Sequence, residues 1–155
     1  MAINHKKENK KELKMSFIEK PLDDVQDPEC GPEGLYDLVI EKADDKMDGE
    51  IRKNMLVIIK VTRGPAGVNI DELKNILHNL SFILPTDDEE KAKNKQLFFK
   101  KFCYLFSVNT KGKMMKDFGP MDFIGKKALK AQLKIKDYQG QKSNIINLPQ
   151  IPKGK

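Results

Sequence analysis

Residues 126–138 read KKALKAQLKIKDY and alternate between apolar and polar side chains. Successive side chains of a β-strand point to opposite faces, so this alternation predicts a half-buried strand. The apolar face would carry Leu129, Ala131, Leu133 and Ile135. The opposite face would carry Lys130, Gln132, Lys134, Lys136 and Tyr138. The stretch therefore predicts a strand that packs on a core through one face and presents a row of amines on the other.

Four further strands and one helix are predicted around this stretch. Alternating or wholly apolar runs predict strands over residues 35–43, 54–62, 79–84 and 142–148. Thr86 and Glu89 have the spacing of a capping box and predict the start of a helix. Its apolar stripe would consist of Phe98, Phe102, Leu105 and Phe106. These elements predict a mainly β fold with one principal helix, arranged as a small five-stranded OB-like barrel.

The chain divides into one domain and two short ends. Residues 1–20 mix Lys, Glu and Asn without apolar periodicity, which predicts a flexible Lys-rich arm. Residues 21–149 contain every predicted element and should form a single OB-like domain, because 155 residues at 39% hydrophobic composition supply one modest core. Residues 150–155 form a C-terminal tail.

The charge of the chain is segregated. Residues 1–90 carry 13 Lys or Arg and 20 Asp or Glu, a net charge of −7, whereas residues 91–155 carry 16 Lys and 3 acids, a net charge of +13. A strongly basic portion favours a polyanionic partner. Nucleic acid is favoured over a membrane surface, because no amphipathic apolar stripe accompanies the lysines. The alternative is a lysine-rich face that only keeps the protein in solution.

Side chains for catalysis or metal binding are scarce. The two histidines are His5 and His78, no Cys/His group has metal-ligand spacing, and no Gly-rich phosphate loop occurs. We therefore expect no enzyme activity, no metal and no cofactor. A small nuclease that uses the acids before residue 51 and a divalent metal is a minor alternative, because such acidic runs are usually solvated loops.

Two further features bear on the compartment. Cys30 and Cys103 are widely spaced and fit reduced, unpaired thiols. No run approaches the about 20 apolar residues of a membrane span. We expect a cytoplasmic protein with no membrane association.

The lysine row is the candidate binding site. Alternate residues on one face of a strand lie about 6.8 Å apart, so the row could follow a chain of phosphates. The residues expected to contact phosphates are Arg52, Lys60, Lys126, Lys127, Lys130, Lys134 and Lys136. Tyr138 at the end of the row, or Phe118 and Phe123 before it, could stack on a base. Because bidentate base recognition prefers Arg and this chain uses mainly Lys, binding should not depend on base sequence.

The order of several segments resembles a known family. These segments are GPEGLYDLVIEKADDK, NMLVIIKVT, LFFKKFCYLF and DFIGKKALKAQLKIKDYQGQKSNIINLP. They resemble phage and prophage single-stranded-DNA-binding proteins with an OB fold, long catalogued as phage proteins of unknown function. The clearest match is in the last segment, at Gly125 and Lys126, at Tyr138 and Gly140 in the turn, and at Asn144 in the return strand.

The resemblance implies that the protein coats single-stranded DNA in a phage replication or recombination module, in the cytoplasm of the host cell. It also implies a phage recombinase or annealing protein as a partner. The chain ends PQIPKGK rather than in an acidic tail, so recruitment of partners through such a tail is not expected. An exposed edge strand could pair with a second copy, which makes a homo-oligomer one of the open alternatives. The competing hypothesis is a phage-encoded interaction module that docks an acidic partner through its basic sheet face.

Overall fold

The computed structural model describes residues 21–24 and 29–153, so the predicted N-terminal arm and residues 154–155 lie outside the described part. The elements in chain order are β1 (Gly34–Asp48), β2 (Ile51–Arg63), β3 (Ile76–Ser81), α1 (Glu89–Leu105), β4 (Lys127–Tyr138) and β5 (Gln141–Ile146). The strands form one antiparallel sheet in the order β3-β2-β1-β4-β5. The prediction of a mainly β fold with one principal helix is confirmed. The sheet is consistent with an OB-like barrel, although it is not closed by a ladder between β3 and β5.

The first two strands are longer than the alternation predicted. β1 continues to Asp48 and β2 begins at Ile51, so a tight hairpin joins the two strands. Gly49 has a φ of 65°, a conformation that most residues with a side chain disfavour. The long hairpin arms pair through register shifts between Ile40 and Lys42 and between Lys46 and Met47, which bend the ribbon.

The helix begins two residues later than the proposed capping box. Asp88 is the N-cap, and its side chain accepts a hydrogen bond of 2.8 Å from the Lys91 N–H, so the prediction of Thr86 as the cap is wrong. The cause is Asp87, whose Oδ2 accepts hydrogen bonds from the Leu84 N–H at 2.8 Å and the Lys95 amine at 2.7 Å. These bonds hold the preceding residues in a turn, and they lower the pKa of the Asp87 carboxyl, the Leu84 N–H contributing most.

α1 covers the inner face of the sheet with aromatic rings. Phe99, Phe102 and Phe106 are buried, whereas Phe98 is 54% exposed, so the predicted stripe is displaced by one residue at its first position. The Phe102 ring packs on Phe123 with a centroid distance of 5.9 Å and forms the centre of the core. No helix in the described part of the chain is long and apolar enough to cross a membrane.

A short segment before β1 fills the space between the two sheet edges. Gly31 donates its N–H to Asn144 Oδ1 of β5 at 2.7 Å, and its carbonyl accepts a bond from Asn144 Nδ2 at 2.8 Å. On the side of β3, the backbone of Glu29 exchanges hydrogen bonds with Glu72 and Lys74. A Cβ atom on Gly31 would lie 2.7 Å from the Tyr36 hydroxyl oxygen, so this close approach requires glycine. The junction therefore depends on one buried amide and one glycine.

We expect Asn144→Ala to destabilise the protein by about 2 to 3 kcal/mol, because it leaves two buried backbone groups of Gly31 without partners. Urea unfolding followed by circular dichroism measures this change. The matched control is Asn147→Ala, since Asn147 is exposed and its side-chain amide donates to the exposed Gln132 side chain at 3.0 Å. An equal loss of stability in both variants would contradict the role given to Asn144.

We expect the His78 imidazole to make the free energy of unfolding depend on pH. Its ring stacks on Phe102 with a centroid distance of 4.6 Å, and burial lowers the pKa of His78 from 6.5 to about 4. The unfolded state binds the proton more readily, so the free energy of unfolding should fall by about 2 kcal/mol between pH 6.5 and pH 4.5. In His78→Leu, the free energy of unfolding should lack this part of its dependence on pH. Unfolding curves of both proteins across this range measure the difference, and parallel pH profiles would refute it.

Candidate nucleic-acid interface

β4 contains a bulge next to β1, where Leu129 and Lys130 together oppose the single residue Asp37. Lys130 has a φ of 53°, a left-handed conformation that is uncommon for residues other than glycine. Because of the extra residue, Leu129 turns outward and is 71% exposed, so its predicted place in the core is wrong. Beyond the bulge, Ala131 and Leu133 are buried as the alternation predicted.

Asp37 holds this bulge in place. Its Oδ1 accepts a hydrogen bond of 2.9 Å from the Lys130 N–H, and its carbonyl accepts one of 3.2 Å from the Thr62 hydroxyl. Asp37 also lies opposite Arg63 in the pairing of β1 with β2. Asp37 thus links three strands, and its carboxylate places one negative charge among the basic residues on the outside of the sheet.

Lysines from two different strands meet on the outward face of the sheet. Val39 of β1 pairs with Lys60 of β2 on one side and with Lys127 of β4 on the other. Its neighbours Leu38 and Ile40 are buried, so the Val39 side chain points away from the core. Directly paired residues share a face and neighbouring strands lie about 4.8 Å apart, which places the two lysine backbones about 10 Å apart.

The second half of β4 continues this surface along the pairing with β5. Lys134 lies opposite Ile145, and Lys136 lies opposite Ser143. Tyr138 ends the strand just before the turn, and its side chain is 68% exposed. We call the outward residues the basic sheet face, which comprises Lys60, Lys127, Lys130, Lys134, Lys136 and Tyr138.

Lys126 lies at the entrance to this face. Its side chain is exposed and its carbonyl accepts a hydrogen bond of 2.9 Å from the Ile40 N–H, which fixes the start of β4 beside β1. This hydrogen bond fixes the backbone of Lys126, so its side chain lies beside the basic sheet face. Lys60 lies on β2, Lys126 directly precedes β4, and the other predicted lysines lie on β4. Lys134 alone among them is half-buried rather than exposed.

Arg52 does not join the basic sheet face. Its Nε donates to Asp45 Oδ1 at 2.9 Å, its Nη2 lies 2.8 Å from the same oxygen, and its guanidinium carbon lies 4.0 Å from the centroid of the Phe82 ring. Phe82 is buried against Phe99 of α1, so Arg52 packs on the core side of the hairpin. The register shift between Lys46 and Met47 redirects the start of β2, and the sequence pattern does not reveal such a shift.

Two aromatic residues considered for base stacking belong to the core. Phe118 is 3% exposed and Phe123 is fully buried. Their ring centroids lie 6.0 Å apart, and Phe118 also packs edge-on against Phe99 at 5.3 Å. Tyr138 is the candidate stacking residue that the structure leaves exposed.

The sequence did not predict a groove of about 1310 Å³ between the start of β2, the end of β3, α1 and the loop that follows the helix. We call it the loop groove. Its basic lining residues are Arg52, Lys100, Lys111, Lys113 and Lys116, and none of the described residues that line it is acidic. The sequence does show the Lys-rich loop KGKMMK at residues 111–116. It does not show that this loop lies beside β2 and β3, which depends on the fold.

The groups with shifted pKa values do not form a reactive centre. Burial raises the pKa of the Cys103 thiol to about 12, which keeps the thiol protonated near neutral pH. The ring of His78 lies against Phe102 in the core. Within residues 21–24 and 29–153, no cluster of three or more His, Cys, Asp or Glu side chains is arranged to hold a metal ion.

No protein-family model matches this chain, and no curated protein matches it either. The resemblance to phage single-stranded-DNA-binding proteins therefore stays a prediction.

Proposed function

We propose that this protein binds single-stranded DNA without sequence preference and coats it during phage-type DNA replication or recombination. The observation that supports this most directly is the position of Lys60 and Lys127 on either side of Val39, on the outward face of the sheet. If the lysines lay on one strand alone, they would form only the solvated face that any amphipathic strand presents. A surface with lysine amines from two neighbouring strands is wide enough to contact several phosphates of one nucleic-acid strand.

The spacing of the cations suits a flexible single strand. Lys134 and Lys136 are separated by about 6.8 Å along β4, and Lys127 lies on the same strand before the bulge. Lysine amines at the ends of flexible stems contact phosphates as point charges and do not impose planar, bidentate geometry on a base. Affinity would therefore come from phosphate neutralisation, and it should decrease steeply with salt.

Tyr138 adds a contact that phosphates do not provide. The ring is exposed at the end of the lysine row, and its neighbours Gln139 and Gly140 form the tight β4–β5 turn with φ values of 52° and 83°. The loop between the fourth and fifth strands of OB folds is one of their binding loops. An exposed ring at this place can stack on any base, because every base has an aromatic face.

An acidic protein partner is the alternative occupant of the same face. Leu35 and Ile145 are 54% and 40% exposed and lie on the outward face beside the lysines, and a protein interface would bury such apolar side chains. The exposed Tyr138 ring favours single-stranded DNA, because stacking on a base uses the ring and the adjacent amines together. The binding experiment separates these two uses.

We expect K130A/K134A/K136A to lose most binding to oligo(dT), measured by fluorescence anisotropy over a series of salt concentrations. Each phosphate contact contributes about −0.7 to the slope of log K against log [salt], so five contacts predict a slope near −3.5 for the original protein. Loss of three contacts should leave a slope near −1.4.

The matched control is K111A/K113A/K116A in the loop groove, which removes the same charge and should retain the full slope on an oligo(dT) short enough to bind one copy. If both triple variants lost the same amount of oligo(dT) binding, net charge alone would explain the effect. The basic sheet face would then be rejected as the binding site. Absence of binding to single-stranded and double-stranded oligonucleotides would reject DNA binding in favour of the acidic partner. Degradation of the oligonucleotide in the presence of Mg²⁺ would instead indicate a nuclease.

We expect Tyr138→Ala to weaken oligo(dT) binding by about 1 to 3 kcal/mol, while the salt slope stays unchanged, because the ring stacks and carries no charge. Tyr104→Ala is the control, since Tyr104 is also exposed but lines the loop groove. Titrations at two salt concentrations measure both quantities. An altered slope, or an equal loss in the control, would contradict a stacking role for Tyr138.

A further inference from the structure

The loop groove has the chemistry of a site for an acidic peptide. Its cationic side chains face a concave surface with no acid in the lining. The nearby acids are already engaged, since Asp45 pairs with Arg52 at 2.8 Å and Asp117 Oδ2 accepts the Met114 N–H at 2.7 Å. The volume of about 1310 Å³ exceeds the usual about 300 to 1,000 Å³ of small-molecule sites, which favours a segment of polypeptide.

Two aromatic rings of the groove are poorly placed for stacking on bases, whereas the Tyr104 ring is 41% exposed. The guanidinium of Arg52 covers the Phe82 ring at 4.0 Å, and the Lys113 amine lies 5.3 Å from the centroid of Phe118. Both rings are buried. The most exposed apolar lining residue is Met114, at 62%, and thioether side chains adapt to many aliphatic partners. These features favour a peptide that carries aliphatic and acidic side chains over a nucleic acid.

This chain contains a segment with the complementary chemistry. Residues 21–29 read PLDDVQDPE, with four acids and no basic residue. Leu22, Asp23 and Asp24 form a short 3₁₀ turn, and the Leu22 side chain is 88% exposed. Because Leu22 is so exposed, it does not occupy the groove of its own chain.

We propose that the loop groove of one copy binds the Leu22–Asp24 segment of a second copy. Leu22 would contact Met114, while Asp23 would face the amines of Lys111 and Lys116. The groove of one copy meets a different surface on the next copy, so the contact is heterologous. It can therefore repeat from copy to copy as a head-to-tail array. The segregation of charge, −7 over residues 1–90 and +13 over residues 91–155, favours this orientation. The contact does not require DNA and does not use the basic sheet face.

Sedimentation velocity of the full chain without DNA, over a range of protein concentrations, tests the proposal. We expect a weight-average mass that rises with concentration above the monomer mass of 17.7 kDa. Raising NaCl from about 0.05 M to about 0.5 M should weaken association, because it screens the ion pairs. K111E/K116E and D23K/D24K should each weaken it by about tenfold or more. M114S should also weaken it without a change of charge.

A charge exchange makes the test specific. Combining K111E/K116E with D23K/D24K in one chain should restore association, because the charges of groove and segment are then reversed together. K127E/K134E is the matched control, which changes the same charge on the basic sheet face and should leave association intact while it weakens oligo(dT) binding. Thermal unfolding of each variant confirms the fold.

Three results would overturn the proposal: a chain that stays at monomer mass at every concentration, an equal effect of K127E/K134E on association, or no recovery in the charge-exchanged chain. Because association is measured without DNA, its failure leaves the proposed DNA binding intact. Failure of K130A/K134A/K136A to affect oligo(dT) binding would, conversely, leave the self-association standing.

Discussion

The phenylalanines of α1 and of the following loop bury the inner face of the sheet. This burial determines where the charged side chains lie. Phe102 and Phe123 are fully buried, and they cover the side of the sheet from which Leu38, Ile40 and Leu133 project. In a strand, a shift of one residue exchanges the two faces. Once this face is committed to the core, the lysines of β4 can only point outward, and the proposed DNA-binding surface is a consequence of that packing.

β1 organises this outward surface because it pairs on both sides. Val39 brings Lys60 and Lys127 onto one face, and Asp37 fixes the bulge that carries Lys130. Bulges in a strand redirect side chains locally and increase its twist. Here a single carboxylate at the centre of the sheet controls the backbone of a neighbouring strand 93 positions further along the chain. The arrangement of the cations therefore depends on an acid that lies among them.

The protein carries two basic surfaces with different chemistry. The basic sheet face combines extended rows of lysine with an exposed tyrosine, which suits a long, flexible polyanion. The loop groove is concave, and Arg52 and Lys113 cover the rings of Phe82 and Phe118, so aliphatic and cationic side chains and the Tyr104 ring remain exposed. If both proposals hold, one surface would bind the strand and the other would join successive copies along it. Separate surfaces allow each contact to be changed without the other.

The amino-acid pattern by itself determined that the fold is mainly β, that one helix lies between the third and fourth strands, and that the lysines of residues 126–138 occupy one side of a strand. These properties follow from local periodicity, which repeats every two residues in a strand and about every 3.6 in a helix. Only the tertiary structure decided that Leu129 is exposed, that Phe118 is buried and that Arg52 faces the core side. The bulge opposite Asp37, the Gly31–Asn144 junction and the loop groove likewise arise between residues far apart in the chain. Hydrogen bonds and packing between distant segments set these features, and no local pattern encodes them.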